Sequence, residues 1–302
     1  MQPKVMTLHD LKLIKGAHAK ELEYIKYIKE FRGKTIVVKY GGSALETPKV
    51  LSYLIDDLIF LKQQHINVVL LHGGSRQLNE ELRRSNIKHV SIDGIRVTTK
   101  EILDHAIDVF TKVNAWIVNE INKRGQGEIK GIGLNGNEIP ITISEYLDKD
   151  KYHYVGRIVA VNVEIIRALG DQYLPVLSSL SQTRNHQPLN INADTNAAEI
   201  AKRLNAYKLI IITDKDGILG KDGKLLSSVN ETQIKTMLAE GTISEGMIPK
   251  ANACLSALKG NIKKVHIING TERHALAREI FTDSGIGTEI VKESKLHKMK
   301  HA

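Results

Sequence analysis

Two strand–glycine–helix units in immediate succession constrain this chain more than any other feature. Thr35 to Tyr40 is a β-branched run that ends at Gly41-Gly42, and Asn67 to Leu71 is a second apolar run that leads into His72-Gly73-Gly74. Between them Thr47 stands as a helix N-cap before Pro48, and a helix is predicted to about Gln64. Another helix runs to about Ser85. Strand, glycine turn and helix, repeated, predict parallel strands joined by crossovers and so an α/β fold. Glycine turns at the carboxyl ends of parallel strands let backbone N–H groups approach an anion, aided by the following helix dipole. Each turn alone would equally suit a plain tight connection.

The rhythm extends in both directions. Leu22, Ile25, Ile28 and Phe31 fall at three-residue steps, which predicts an amphipathic helix over 18–31, closed by Gly33. A long helix is predicted from Thr99 to Lys123, and hairpins at the edge of the sheet from Gly125 to Val161. Val163 to Leu169 reads as helix, Tyr173 to Leu177 as strand, 181–192 as hairpin and Ala193 to Leu204 as helix. From Lys208 to Thr213 the strand–helix pattern restarts. It continues through a hairpin from Gly217 to Ser227, helices from Asn230 and Pro249, and a strand at Val265–Ile268. A helix from His274 and a strand near Thr288–Val291 complete it. The expected organisation is an N-terminal helix in 1–33, one lobe over 34–205, a second over 206–292 and a basic tail over 293–302.

Charge narrows the functional classes. The chain of 302 residues carries a net charge of +9, which invites nucleic acid or membrane as a partner. Yet residues 1–34 hold +4 and residues 292–302 hold +3, leaving +2 on the body between them. Neither partner is therefore expected. The apolar runs are too short to span a bilayer, and Met1 to His9 lacks the apolar core of a secretory signal. A single cysteine, Cys254, excludes an intramolecular disulfide, so a cytoplasmic setting is expected. It falls beside Leu258 on an apolar helix side and reads as core. Trp116 reads as packing or a dimer contact.

No P-loop, no HExxH and no G-x-S-x-G occurs, and no G-x-G-x-x-G opens a helix after the first strand. What remains is a set of charged residues in unfavourable places. Lys39 interrupts an apolar strand and needs an anionic partner if it is buried. Lys250 enters a helix at its first turn, against the dipole. Asp194 opens another helix, after Asn190-Ile191-Asn192-Ala193. Two lysines, a carboxylate and glycine amides suit phosphoryl transfer, which depends on positioning and charge neutralisation.

In order along the chain stand KYGGSA at 39–44, HGG at 72–74, DGIRVT at 93–98 and LNINAD at 189–194. TDKDGIL at 213–219, GMIPKANAC at 246–254 and FTDSGIGTEI at 281–290 follow. On these seven blocks, residues 20–292 resemble the N-acetylglutamate kinases of the amino-acid kinase family. The resemblance implies a three-layer αβα sandwich around a mostly parallel sheet, and ATP with Mg²⁺ phosphorylating the γ-carboxylate of N-acetyl-L-glutamate. It assigns Lys39 and Lys250 to the transferred phosphoryl group, and Asp194 to orienting them. Gly73, Gly74, Arg96 and Asn190 go to the amino-acid substrate; Gly41, Gly42, Thr213, Asp214 and Gly217 go to ATP. A planar guanidinium at Arg96 suits a carboxylate. No protein-held metal is implied. The helix before the first strand resembles that of arginine-inhibited members, which assemble as hexamers. That implies an arginine site near Tyr27, His274 and Gly287.

The chain departs from the family pattern at Ser75 and Glu245, where glycines are usual, at Gly133 to Ile139, and at Leu177-Ser178-Ser179. A sister kinase for another acylated amino acid and a non-catalytic arginine-sensing subunit therefore stand as the alternatives. His297 and His301 have helical metal-ligand spacing but sit in the lysine-rich tail.

Overall fold

The computed structural model describes residues 19–41, 47–244 and 246–293, with side chains from residue 23 onward. The tail histidines, Gly42, Ser43 and Glu245 lie outside the described residues. Helix α1 (Ala19–Phe31) leads into β1 (Thr35–Tyr40), α2 (Pro48–Gln63), β2 (Asn67–His72) and α3 (Ser75–Arg84). Gly33 takes φ +72° just past α1, the left-handed geometry that its position after the helix predicts. Thr47 does occupy the N-cap of α2, with Pro48 next, but its side chain makes no capping hydrogen bond.

A short hairpin of β3 (Ser91–Ile92) and β4 (Ile95–Arg96) precedes the long helix α4 (Lys100–Arg124). Then come β5 (Lys130–Leu134), β6 (Thr142–Tyr146), α5 (Lys149–Tyr152), β7 (Gly156–Val161), α6 (Val163–Arg167) and β8 (Tyr173–Leu177). Next are β9 (Leu180–Gln182), β10 (Pro188–Asn190), α7 (Ala193–Arg203), β11 (Lys208–Thr213), β12 (Ser228–Asn230) and α8 (Glu231–Ala239). The last elements are α9 (Met247–Leu258), β13 (Lys264–Asn269), α10 (Ala275–Phe281) and β14 (Thr288–Val291).

Eight strands form one sheet in the order β12-β14-β13-β11-β1-β2-β8-β5, and every neighbouring pair except β13 and β14 is parallel. The stretch from Gly125 to Val161 holds one of the expected hairpins, β6 paired antiparallel with β7, but not at the edge of the main sheet. Its first strand, β5, joins the main sheet as a parallel edge strand beside β8. The other two, β6 and β7, build a separate four-stranded sheet with β9 and β10.

The sheet lies between two apolar layers. Helices α2, α3, α4 and α10 cover one face, and α6, α7, α8 and α9 cover the other. Because strand side chains alternate, β1 sends Ile36, Val38 and Tyr40 into the first layer and Val37 into the second. Lys39 shares the parity of Val37, so it points to the face where α7 and α9 begin. A one-residue slip would deliver it to the wrong layer. Among the described residues, no helix is long and apolar enough to cross a membrane. Cys254 is fully buried, and burial pushes its thiol up.

Candidate active site

The carboxyl ends of β1, β2 and β11 open on the crevice where open α/β sheets place ligands. Lys39, one residue before the end of β1, is 5% exposed, so its ammonium needs an anion within reach. Asp194 provides it, with Oδ1 2.8 Å from Lys39 Nζ. That oxygen is buried and has no well-aligned hydrogen bond, so the contact is one of charge more than of directed bonding. Gly41 makes the room: a Cβ there would stand 2.7 Å from Lys39 Nζ.

Asp194 owes its position to the start of α7. Asn192 caps that helix, its Oδ1 accepting from the backbone N–H of Asp194 and of Thr195 at 3.0 Å each. The second oxygen of Asp194 accepts from Lys250 Nζ at 3.2 Å. Lys250 lies in the first turn of α9, also reaching the Gly246 carbonyl at 3.4 Å. One carboxylate on α7 thus bridges two ammonium groups, one from β1 and one from α9. Burial drives the Lys39 ammonium down from its ordinary range against the pull of Asp194. Burial alone would raise the Asp194 carboxyl, but Lys39 and Lys250 together hold it below its ordinary value. The trio carries a net single positive charge, ready for an anion.

Beneath the second glycine turn is a buried strut. His72 directs Nδ1 to the Gly73 carbonyl at 2.7 Å, and Asn114 Nδ2 lies 3.1 Å from His72 Nε2. Since Asn114 can only donate there, the proton of His72 sits on Nδ1. Burial drives its pKa down to about 4, so the ring is neutral. Asn114 Nδ2 also donates to the Val176 carbonyl at 2.9 Å, tying the turn to β8. Phe110, one helical turn earlier on α4, packs so close that a Cβ on Gly74 would stand 2.6 Å from its ring.

A cavity of about 320 Å³ lies over this turn, lined by Gly73, Gly74, Arg96, Asn190, Lys39 and Lys250, among others. Arg96 donates through Nη2 to Asn79 Oδ1 and to the Ser75 carbonyl at 3.3 Å, while its buried Nη1 has no partner among the described residues. Asn190 Nδ2 donates to Thr98 Oγ1 at 3.0 Å. A second cavity, of about 480 Å³, is lined by Thr213, Asp214, Gly217, Ile243 and Met247. Gly217 adopts φ +151°, and a Cβ would stand 2.5 Å from Thr288 Oγ1, so a side chain is excluded. The two cavities share Gly246 and Lys250. Among the described residues no three His, Cys, Asp or Glu side chains gather as a metal cage.

A third cavity, of about 760 Å³, lies at the opposite ends of the strands. Tyr27 and Gly287 line it, with Lys208, His266, Glu279 and Asp283. His274 is not there: it bonds Asp57 at 2.7 Å beside Tyr53. The reason is strand direction. His274 follows β13 at its carboxyl end, whereas the cavity surrounds the amino ends of β11 and β13, where His266 sits.

Of the residues singled out from sequence, Lys39, Asp194, Lys250, Gly73, Gly74, Arg96 and Asn190 come together in one cavity. Gly41 joins them, while Thr213, Asp214 and Gly217 line its neighbour. Sequence reasoning missed Asn192, His72 and Asn114. Asn192 was detectable, because asparagine just before a helix start is a cap signature.

The model of the amino acid kinase family matches residues 34–269. An acetylglutamate kinase of Hydrogenobaculum sp. is 42% identical over 273 residues, covering 89% of this chain and 95% of its own. One from Sulfurimonas denitrificans is 36% identical over 294 residues, covering 96% and 99%. Among solved structures, N-acetylglutamate synthase from Neisseria gonorrhoeae complexed with coenzyme A and N-acetyl-glutamate has a TM-score of 0.81 at 26% identity. That likeness covers 91% of this chain but only 63% of the synthase chain. Carbamate kinase from Giardia lamblia bound to AMP-PNP shares the fold at 16% identity and TM-score 0.66, covering 86% and 99%. With the parallel sheet, the bridged lysines and the family match in agreement, the chain belongs to the amino acid kinase family.

Proposed function

We propose that this chain uses ATP to phosphorylate the γ-carboxylate of N-acetyl-L-glutamate, a step of arginine biosynthesis, in a cytoplasmic setting. The observation that carries the reading is Asp194 held between Lys39 and Lys250 where two cavities meet. The acetylglutamate kinases similar over nearly the whole chain support the choice of acceptor.

In this reading a γ-carboxylate oxygen attacks the γ-phosphorus of ATP in line, the bond to the bridging oxygen breaks, and ADP leaves with the electron pair. Lys39 and Lys250 neutralise the phosphoryl oxygens on either side, and Asp194 keeps both ammonium groups aimed at them. The amides of Gly73 and Gly74 hold the reacting carboxylate. The Nη1 of Arg96, which has no partner among the described residues, takes the α-carboxylate, and Asn190 bonds the same substrate. The lobe over 34–205 holds the amino acid. The lobe over 206–292 holds the nucleotide at Thr213, Asp214 and Gly217, with Gly41 and Gly42 near its phosphates. The donor set around the phosphoryl site is cationic, so Mg²⁺ fits as an ion carried by nucleotide oxygens rather than by a protein cage.

The third cavity is assigned to arginine as a feedback inhibitor. Glu279, Asp283 and Glu289 offer carboxylates to a guanidinium, and Tyr27 brings α1 to the same cavity. The same helix is proposed to join dimers into a hexamer.

The test is a coupled ADP-release assay with N-acetyl-L-glutamate, N-acetylaspartate and N-acetyl-α-aminoadipate, each with and without arginine. Turnover confined to N-acetylglutamate is expected. Preference for another acylated amino acid would assign a sister kinase. No turnover with any acceptor, together with arginine binding, would assign a sensor.

A further inference from the structure

We propose that Arg76 is a third cation of the phosphoryl-transfer step, exchangeable between Asp214 and the oxygens of the transferred phosphoryl group. The inference rests on the reading of the site given above and adds to it a residue that reading does not use.

Arg76 is the second residue of α3, directly beyond Gly73-Gly74-Ser75. A cation in the first turn of a helix is opposed by the dipole, so the position is unfavourable unless the charge meets an anion. It lines the acceptor cavity, together with Lys39, Asp194 and Lys250. Its guanidinium Nη2 lies 3.3 Å from Oδ2 of Asp214, which follows β11 and lines the nucleotide cavity. The pair therefore spans the boundary that the phosphoryl group must cross. Unlike the one-turn pairs Arg84–Glu80 and Lys100–Asp104, it joins residues 138 apart in sequence.

Charge balance calls for such a residue. Lys39 and Lys250 already share Asp194, so they bring one net positive charge to a group with several anionic oxygens. Asp214 also acts on Lys39 electrostatically, which places that carboxylate within the same field. The Arg76 and Asp214 side chains are 48% and 30% exposed, and an ion pair this open and this long is weak enough to exchange. A planar guanidinium can then donate two parallel N–H groups to two phosphoryl oxygens, which an ammonium cannot. During transfer the acceptor carboxylate oxygen bonds to the γ-phosphorus while the bridging oxygen departs with its electron pair to ADP. Arg76 bonds only the equatorial oxygens and keeps its protons.

The experiment compares the parent with Arg76→Ala, Arg76→Gln and Arg76→Lys in steady-state kinetics, with ATP affinity measured separately by titration. Thermal unfolding confirms that each variant is folded. The expected result is a fall in kcat on the order of 100-fold for Ala and Gln, with KM for the acceptor changed less than about threefold. Lys recovers only part of the loss. Added guanidinium at low millimolar concentration restores turnover to Arg76→Ala and leaves the parent unchanged, which a latch between lobes would not allow. A kcat within threefold of the parent, or a loss confined to acceptor KM, overturns the assignment. An inactive parent would instead reject the underlying function, so the two failures are distinguishable.

Discussion

Asp194 is 4% exposed and carries two positive partners, so its charge is both protected and required. Replacing it by an amide of the same shape leaves two ammonium groups facing each other without compensation. Asp194→Asn is expected to lower kcat by on the order of 100-fold or more while the fold survives, measured by coupled assay and circular dichroism. His72 supports a prediction about pH. Its ring is neutral in the fold with a pKa of about 4, against an ordinary 6.5, because burial disfavours the charged form. Between these values the unfolded chain binds a proton that the folded chain refuses, so stability rises with pH across that window and levels off above it. The gap corresponds to about 3 kcal/mol at most. Urea unfolding should therefore show a midpoint that falls from about pH 7 to about pH 5. A His72→Gln variant is expected to be less stable at the upper end yet to lose less on acidification.

At the scale of elements, α4 acts as a template for the second glycine turn, proposed to hold the acceptor. It lays Phe110 against Gly74 and Asn114 against His72, one helical turn apart on the same face. A methyl at Gly74 meets the phenyl ring at 2.6 Å. Gly74→Ala is therefore expected to raise acceptor KM and to cost about 1–3 kcal/mol of stability. Trimming the ring in Gly74→Ala/Phe110→Leu should recover part of both, as read by chemical unfolding and steady-state kinetics. Elements of this kind were legible wherever periodicity and caps were strong: β1, β2, α4, α7 and β11 lie within a residue or two of their sequence reading. The stretch from Gly125 to Val161 was legible only in part, as the antiparallel pair of β6 and β7. Alternation there reveals strands but not which sheet they join, and β5 pairs with Tyr173–Leu177 far along the chain while β6 and β7 leave for another sheet. Lys250 was noticed because a cation at a helix start is anomalous; Arg76 is the same anomaly in a more charged helix and was passed over. His274 was placed by its neighbours in sequence, which say nothing of which end of a strand a residue emerges from.

At the scale of the molecule, β1 and β11 pair along five consecutive positions, so the two proposed lobes, over 34–205 and 206–292, contribute strands to one sheet. The two ends of that sheet carry different cavities, one proposed for chemistry and one proposed for arginine, with the packed strands between. Carboxylates in the distant cavity are the natural partners of a guanidinium. Asp283→Asn, which removes one exposed charge beside Tyr27, is expected to raise the arginine concentration for half-inhibition several-fold and to leave arginine-free turnover intact. Light scattering on the parent should report a hexamer of the 33.7 kDa chain. Indifference to millimolar arginine combined with a dimer would reject the regulatory assignment. The buried Cys254 has a practical consequence. With its thiol sealed on the buried face of α9 and held protonated, the native chain is its own blank for thiol chemistry. A pair of cysteines introduced on the surface, one on each side of the two cavities, can carry spectroscopic reporters without first removing the natural one, so the distance across the site can be followed through a turnover.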